Sequence, residues 1–419
     1  MSRRTAALAL ALLTAPLLAA CGSSDSKPGA AASAPASATA SSGTSFADVE
    51  AQAKGQTVNW YMYGGDDVLN TFVNGYLKTK LAARGVTLNQ VKITDTVTAV
   101  NKVLAEKQAG KTTDGSVDAI WINGENFATG KQADLWYCGY AQSLANARYV
   151  DFSQPAVAND FGLPVEGCES VWMQANSALV YDSTRLTKDD VKSASSLFDW
   201  AKAHPGKFTY PAPPDFTGSM AVRTFFYDTN DGPDGFAGQF DEAKYAPAAT
   251  KLWKRLNDLE PSLYKKGKTY PAGEPDVEKL YANGEISAFL TYGPGAVGDA
   301  VKKGTFPATT REAVFEGGNI SNYNFLAIPF NSPHKAAAQV LQDTLLDPQT
   351  QLELYKSSGS FPGIDLAKTD PATQAAFKAV STSPAVLPLD VLSKDAQPEL
   401  TSTYVTRIEK DWKANVLQK

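Results

Sequence analysis

Val117-Asp118-Ala119-Ile120-Trp121-Ile122-Asn123-Gly124-Glu125-Asn126-Phe127 is the stretch whose reading decides the fold. Its first half is apolar but for Asp118, the composition of a strand buried on both faces of a parallel sheet. The second half turns polar at once. Asn123 suits a helix N-cap, Gly124 permits a tight turn, and Glu125 places a carboxylate where a helix's first turn favours one. A strand that ends in a polar turn and opens a helix is where open α/β sheets hold ligands, because the loops at the strands' carboxyl ends converge there.

The same alternation extends in both directions. Upstream, residues 57–63 read as an aromatic-rich strand, Gly64-Gly65-Asp66 as its turn, and 67–81 as a helix with Val68, Leu69, Phe72, Val73 and Tyr76 at helical spacing. Residues 86–94 are a further strand and 99–109 a helix, so strand-helix alternation predicts a parallel, helix-covered sheet. Downstream, 171–181 is an extended stretch that carries the chain into a second lobe. There a helix at Leu197, Trp200 and Ala201 precedes a strand at Phe208-Thr209-Tyr210. The polar turn 211–219 then opens a helix over 220–227. A helix with Leu252, Trp253, Leu256 and Leu259, a strand over 286–292 and a return segment over 322–329 follow. Ala337, Val340, Leu341, Thr344 and Leu345 mark an amphipathic helix, and Tyr404, Val405, Ile408 and Trp412 a terminal one.

A chain of 419 residues is too long for one ordinary core, and two domains are expected. Its 43% hydrophobic and 20% charged content is that of a globular protein. A net charge of −5 offers no clustered basic footprint for nucleic acid. The 17 Tyr and 7 Trp could serve a small organic ligand, though most such residues are core.

Arg3 and Arg4 precede a short apolar stretch over 5–18 and then Leu18-Ala19-Ala20-Cys21. The segment is too short to span a membrane and has the small residues of a cleavage site. It closely resembles the lipobox of bacterial lipoproteins, which implies that Cys21 carries a lipid; a plain secretory signal with an incidental Cys is the alternative. Residues 22–50 are mostly Ala, Ser, Gly, Thr and Pro and read as a disordered tether. The two later cysteines, Cys138 and Cys168, are most simply a disulfide in an oxidising compartment, closing a loop of about 30 residues worth ~3–4 kcal/mol. A metal pair lacks a nearby His, and a free catalytic thiol lacks a local His partner.

The order of these pieces, from about Gln56 to the C-terminus, resembles a bacterial extracellular solute-binding protein of an ABC importer. Gly55-Gln56-Thr57-Val58, Gly64-Gly65-Asp66, Trp121 to Phe127, and Tyr210-Pro211-Ala212-Pro213-Pro214-Asp215-Phe216-Thr217-Gly218 are similar to a branch near the thiamine, spermidine and ferric-iron binding proteins. The resemblance implies an α/β, two-lobed, periplasmic-binding-protein-like (type II) fold with parallel-rich sheets and a hinge. The expected division is a leader over 1–21, a tether over 22–50, lobe 1 over 51–175, lobe 2 over 176–320, and a return segment with C-terminal helices over 321–419 packing mainly on lobe 1. It further implies a monomer, anchored to the membrane outside the cytoplasm, that delivers a small molecule to a permease and an ATPase.

Three junctions would then face one cleft: Tyr63, Gly64, Gly65 and Asp66; Asn123, Gly124, Glu125 and Asn126; and Asp215, Thr217 and Ser219. Free N–H groups there could take an anion, yet the carboxylates could instead cap their own helices or face a cation. Trp60, Tyr61, Trp121, Trp172, Tyr210, Phe216 and Tyr292 flank the junctions, each about as suited to the core as to a ligand, and Asn322 could bring an amide to the hinge or cleft. As a set, carboxylates and aromatic rings suit a ring-bearing cation such as a thiamine-like compound, and a sugar is also compatible. No cofactor or metal is expected. Gly110-Lys111-Thr112 has Ala105 where a P-loop needs glycine, and there is no nucleophile elbow or His-Glu-x-x-His. The acidic loop 228–239 has Pro233 and Gln239 where an EF-hand needs Gly and Glu. A surface-anchored glycan or ester hydrolase, or a ligand-sensing lipoprotein, are the alternatives on the same fold.

Overall fold

The computed structural model describes residues 45–380, 383–393 and 395–419. The expected leader, the lipidation site Cys21 and the tether up to residue 44 lie outside the described residues. Helix α1 (Phe46–Ala53) already occupies the end of the stretch assigned to the tether. Ser45 starts it: its hydroxyl accepts from the Asp48 N–H while the Asp48 carboxylate accepts from the Ser45 backbone, which satisfies two otherwise orphaned donors.

β1 (Thr57–Tyr63) follows, with Val58, Trp60 and Met62 buried on one side. α2 (Asp67–Phe72) runs through a π turn over Val73–Leu77 into α3 (Lys78–Ala83). Then come β2 (Thr87–Ile93), α4 (Val97–Gln108), β3 (Ala119–Ile122), α5 (Glu125–Gln132) and α6 (Pro155–Ala158). A small hairpin of β4 (Asn159–Asp160) and β5 (Leu163–Pro164) leads to β6 (Glu169–Asn176). The chain crosses over into β7 (Ala178–Asp182), α7 (Ala194–Ala203), α8 (Phe216–Thr229), α9 (Glu242–Leu259), α10 (Glu274–Ala282), β8 (Ala288–Thr291), α11 (Pro294–Lys302) and β9 (Thr310–Ala313). It returns through β10 (Ser321–Ala327), α12 (Lys335–Leu345), α13 (Pro348–Ser358), β11 (Phe361–Pro362), α14 (Pro371–Lys378), α15 (Leu389–Ser393) and α16 (Ser402–Trp412).

Apart from the β4–β5 hairpin, these strands form two sheets, one per lobe. The first has the order β11-β6-β10-β3-β1-β2 and the second β8-β7-β9. Parallel pairing holds for β1 with β2 and β3; β10 runs antiparallel to β3 and β6, and β11 to β6. The second sheet is antiparallel. Chain direction is the reason: strands joined by crossover helices must be parallel, whereas the return strand β10 re-enters the first sheet against its neighbours. Phe208-Thr209-Tyr210, expected as a strand, contributes only a bridge from Phe208 to Ala288.

β3 alternates between two cores. Ala119 joins Trp60, Met62, Leu69, Phe72 and Leu341 on one face. Ile120 and Ile122 join Val100, Val103 and Phe127 on the other. Asp118, the polar break in that run, is fully buried but saturated: it accepts from the Asn59 backbone and side chain, both at 2.8 Å, and from the Ser332 hydroxyl at 2.7 Å. α12 packs on the first sheet through Ala337, Val340, Leu341 and Leu345. α16 instead sends Tyr404, Ile408 and Trp412 into the second lobe's core beside Tyr210 and Leu256.

The two crossings are bonded to each other. Ser177 donates from backbone and hydroxyl to the Ile320 carbonyl, at 2.9 and 2.8 Å, and the Ser321 hydroxyl donates to Asn176 Oδ1 at 2.7 Å. Elsewhere Gly295 at the start of α11 meets Gly359 at the end of α13 so closely that a Cβ on Gly359 would lie 2.6 Å from the Gly295 carbonyl carbon. The expected disulfide is present: Cys138 is bonded to Cys168, 30 residues on, and fastens the segment after α5 to the start of β6. Among the described residues, no helix is long and apolar enough to cross a membrane.

Candidate functional site

The first lobe offers the carboxyl ends of β1 and β3. Tyr63 closes β1 and is 44% exposed. Its phenol folds back over Gly65, where any side chain would collide with it. Asp66 caps α2, its Oδ1 accepting from the N–H groups of Val68 at 2.8 Å and Leu69 at 2.9 Å. Asn70 Nδ2 donates to the Gly64 carbonyl at 2.9 Å and fixes the turn.

At the end of β3 the expected cap is not formed. Asn123 sends its amide to the Tyr323 carbonyl at 2.7 Å, and Gly124, at φ +59°, is the N-cap residue of α5. The Gly124 N–H donates instead to Asp160 Oδ2 at 2.6 Å. Asp160 thus holds the N-cap residue's own N–H, and no side chain caps the first-turn N–H groups of α5. Glu125 is exposed and faces α16, accepting from the Thr406 hydroxyl at 3.4 Å. Asn126 is half-buried on α5.

On the second lobe, Asp215 caps α8 through the Gly218 N–H at 2.9 Å, so it serves its own helix. Phe216, the first residue of α8, is 48% exposed and lies 5.1 Å from the Tyr292 ring. Thr217 on α8 and Thr291 on β8 both donate their hydroxyls to Glu274, which opens α10. Ser219 donates to Glu409 on α16 at 2.5 Å and accepts from Arg223. Tyr292 donates to Glu399, which also binds Arg223 Nε at 2.9 Å in a fully buried ion pair.

Electrostatically the cleft is acidic. Burial raises the carboxyls of Asp215 and Glu274. Glu278, one turn along α10, is pushed up to about 7, by burial first, then by Glu274, then by Asp66 of the opposite lobe. The Asp66 charge therefore reaches Glu278 across the gap between lobes. Tyr63, Gly64, Gly65 and Asp66 on one wall thus confront Asp215, Phe216, Thr217, Glu274, Glu278 and Tyr292 on the other. Phe216 of the second lobe also meets Phe161 of the β4–β5 hairpin, with 6.4 Å between ring centres.

Other expected site residues lie elsewhere. Trp172 is fully buried, edge-on to both Trp60 and Trp121, and Tyr210 is buried against Phe225, Tyr270 and Trp412. Both are core, because their elements turn those rings inward. Asn322 is buried at the crossing strand and donates to Glu399 at 3.4 Å. Phe216 is one of the aromatic residues expected beside the junctions, whereas Glu274 and Glu278 are absent from the sequence-based set of binding residues. The available signal was Gly273-Glu274-Pro275, a glycine followed by an acidic first turn with proline, which marks a helix start.

The sequence pattern described as bacterial extracellular solute-binding protein matches residues 72–379. The chain belongs to that family. It is a solute-binding family, not an enzyme family; its members work outside the cytoplasm, where they bind small molecules for the permease and ATPase of an ABC transporter. Protein YnjB of Escherichia coli (strain K12) is 36% identical over 309 residues, spanning 73% of this chain and 78% of that one. An ABC transporter structure from Clostridium perfringens matches with a TM-score of 0.60 at 16% identity, covering 86% of this chain and 99% of the other. The spermidine/putrescine substrate-binding protein PotD from Streptococcus pneumoniae matches with a TM-score of 0.58 at 12% identity, covering 86% and 99%. At those identities the structural likeness speaks for the fold, two lobes around a cleft.

Proposed function

We propose that the protein is a lipid-anchored receptor that captures a small organic cation, ring-bearing and thiamine-like, between its lobes and delivers it to an ABC importer. The observation that carries this reading is the makeup of the cleft. Exposed Phe216, backed by Tyr292, stands on one wall and exposed Tyr63 on the other, with Asp66, Asp215, Glu274 and Glu278 between and beside them. An aromatic cation gains from both parts, since its ring stacks and its charge sits over ring faces, worth ~0.5–2 kcal/mol per contact. Carboxyls that repel one another across the gap oppose closure of the empty cleft, and a cation between them relieves that repulsion. The disulfide accords with an oxidising compartment, and Leu18-Ala19-Ala20-Cys21 supports the anchor.

Isothermal titration of the full chain in detergent with thiamine and with neutral ring-bearing solutes tests the ligand class. Saturable binding near 1:1, weakened by added salt, is expected for the cation. Equal or tighter binding of neutral sugars would refute it. Metabolic labelling with a fatty-acid analogue tests the anchor, with Cys21→Ser expected to abolish the label.

A further inference from the structure

A groove of about 280 Å³ runs along the second lobe on the far side of α10 from the cleft. Among the described residues its walls come from 264–285 alone, so neither the first lobe nor a crossing strand contributes to it. α10 separates the two places. Glu274 and Glu278, four residues apart, share the helix face turned to the cleft. Asp276, Lys279 and Asn283, which line the groove, fall on the opposite face at ~100° of turn per residue.

Lys265, Asp276, Lys279 and Glu285 bring charge to the groove, and the two signs are not equally engaged. The carboxylates have donors of their own. Asp276 accepts from the Ala272 N–H at 3.2 Å, and Glu285 accepts from the Tyr264 hydroxyl at 2.6 Å and the Asn283 amide at 3.4 Å. Among the described residues, neither Lys265 nor Lys279 forms an ion pair. For Lys279 this is informative, because Asp189–Lys192, Asp199–Lys202 and Asp299–Lys302 have the same i, i+3 spacing and do meet, at 3.8, 3.9 and 3.6 Å. Lys279 turns away from Asp276 instead. Lys265 lies over the Tyr264 ring, 5.0 Å from its centre. Its backbone is strained: Lys265 and Lys266 stand at φ +50° and +59°, a region that side-chain-bearing residues occupy only at a cost, and Gly267 follows at +65°. Strain of this kind gathers at ligand clamps. Here it brings Lys265 to the groove while Lys266 and Lys268 remain in solvent.

We propose that this groove is an accessory site for a phosphate-type oxyanion carrying a small aromatic or apolar body, held between the ammonium groups of Lys265 and Lys279. Lysine meets phosphate as a compact point charge with three donors, and here two such charges approach from different elements, a turn and a helix. The engaged carboxylates leave both ammonium groups to the ligand. Its body lies against Tyr264, Pro271 and Leu280. The volume falls just under the ~300–1,000 Å³ usual for ligand pockets, which suits one ring and one phosphate. The charge is opposite to that of the solute assigned to the cleft, so the two sites do not compete for one ligand. A soluble phosphate ester and the headgroup of an anionic lipid present the same oxygens, and both fit this chemistry.

The test is calorimetry of the full chain with phenyl phosphate and with phenol, its uncharged counterpart. The ester is expected to bind saturably, one to a chain, about tenfold or more tighter than phenol, and to weaken as sodium chloride is added. Lys265→Gln combined with Lys279→Gln should lower that affinity about tenfold at an unchanged melting temperature, since both side chains are exposed. Lys268→Gln, in the same turn but outside the groove, should leave it unchanged. So should Phe216→Ala at the cleft, which keeps failure here distinguishable from failure of the cleft assignment. Sedimentation with phosphatidylglycerol and phosphatidylcholine vesicles separates the two sources. An excess on the anionic vesicles that disappears with the lysine pair identifies a lipid headgroup, and binding of phenyl phosphate without that excess identifies a soluble ester. Absence of both phenyl phosphate binding and the vesicle excess, equal affinity for phenol, indifference to the lysine pair, or an equal loss in Lys268→Gln would each overturn the proposal.

Discussion

Replacing Glu278 by glutamine removes a cleft carboxyl that titrates near neutral pH in the folded chain. Burial, Glu274 and Asp66 hold that group at about 7 against an ordinary 4.5. Because the folded value is raised, the folded state keeps its proton over that interval while the unfolded chain has lost it. Stability from this group is therefore full below about pH 4.5, declines as pH rises to 7 and is level above. At ~1.36 kcal/mol per pH unit the ceiling is about 3 kcal/mol; Glu278 is only partly buried, and solvent screening brings the expectation to ~1–2 kcal/mol. Urea unfolding at pH 5, 6, 7 and 8 should show the wild type losing that much more than Glu278→Gln between the extremes. All other titrating groups are common to both proteins, so the difference isolates this carboxyl. Parallel stability profiles would refute the assignment. If the ligand is a cation, it binds the ionised form, and wild-type affinity should rise between pH 5.5 and 7.5 while that of Glu278→Gln stays flat.

Removing both cysteines, Cys138→Ser with Cys168→Ser, should cost ~3–4 kcal/mol by urea unfolding, since the 30-residue loop is then unconstrained in the unfolded chain. Phe216→Ala should leave the melting temperature within about 2 °C, the ring being half exposed, yet weaken an aromatic cation roughly tenfold by calorimetry. Trp172→Ala should cost ~3–5 kcal/mol, because the ring is enclosed by Trp60 and Trp121; a variant of unchanged stability would show that packing to be unimportant.

The strand-helix alternation was legible because periodicity reports burial directly. β1 forms over the expected residues 57–63, and β2, α4, β8 and α12 form where their patterns lay. What failed were inferences that needed a distant partner. Asn123 has the chemistry of a cap, but its amide is drawn to the Tyr323 carbonyl, and Gly124, its N–H held by Asp160 remote in sequence, becomes the N-cap residue. Trp172 and Tyr210 have the right residue type for a pocket, yet which face a ring takes depends on neighbours that sequence does not place beside it. Glu278 illustrates the converse. Burial and Glu274 raise its carboxyl most, and the last contribution comes from Asp66 of the other lobe, a proximity no local pattern encodes. The end of Phe208-Thr209-Tyr210 as a strand is explained by Pro211, Pro213 and Pro214, which cannot donate to a ladder.

The touching backbones of Gly295 and Gly359 make a bearing without a bushing. One belongs to each lobe, and the gap has no room for even a methyl group. An alanine at Gly295 would act as a doorstop, propping the halves apart without altering any group that meets a solute. Scattering radii of such a variant, with and without solute, would separate the work of shutting from the work of gripping.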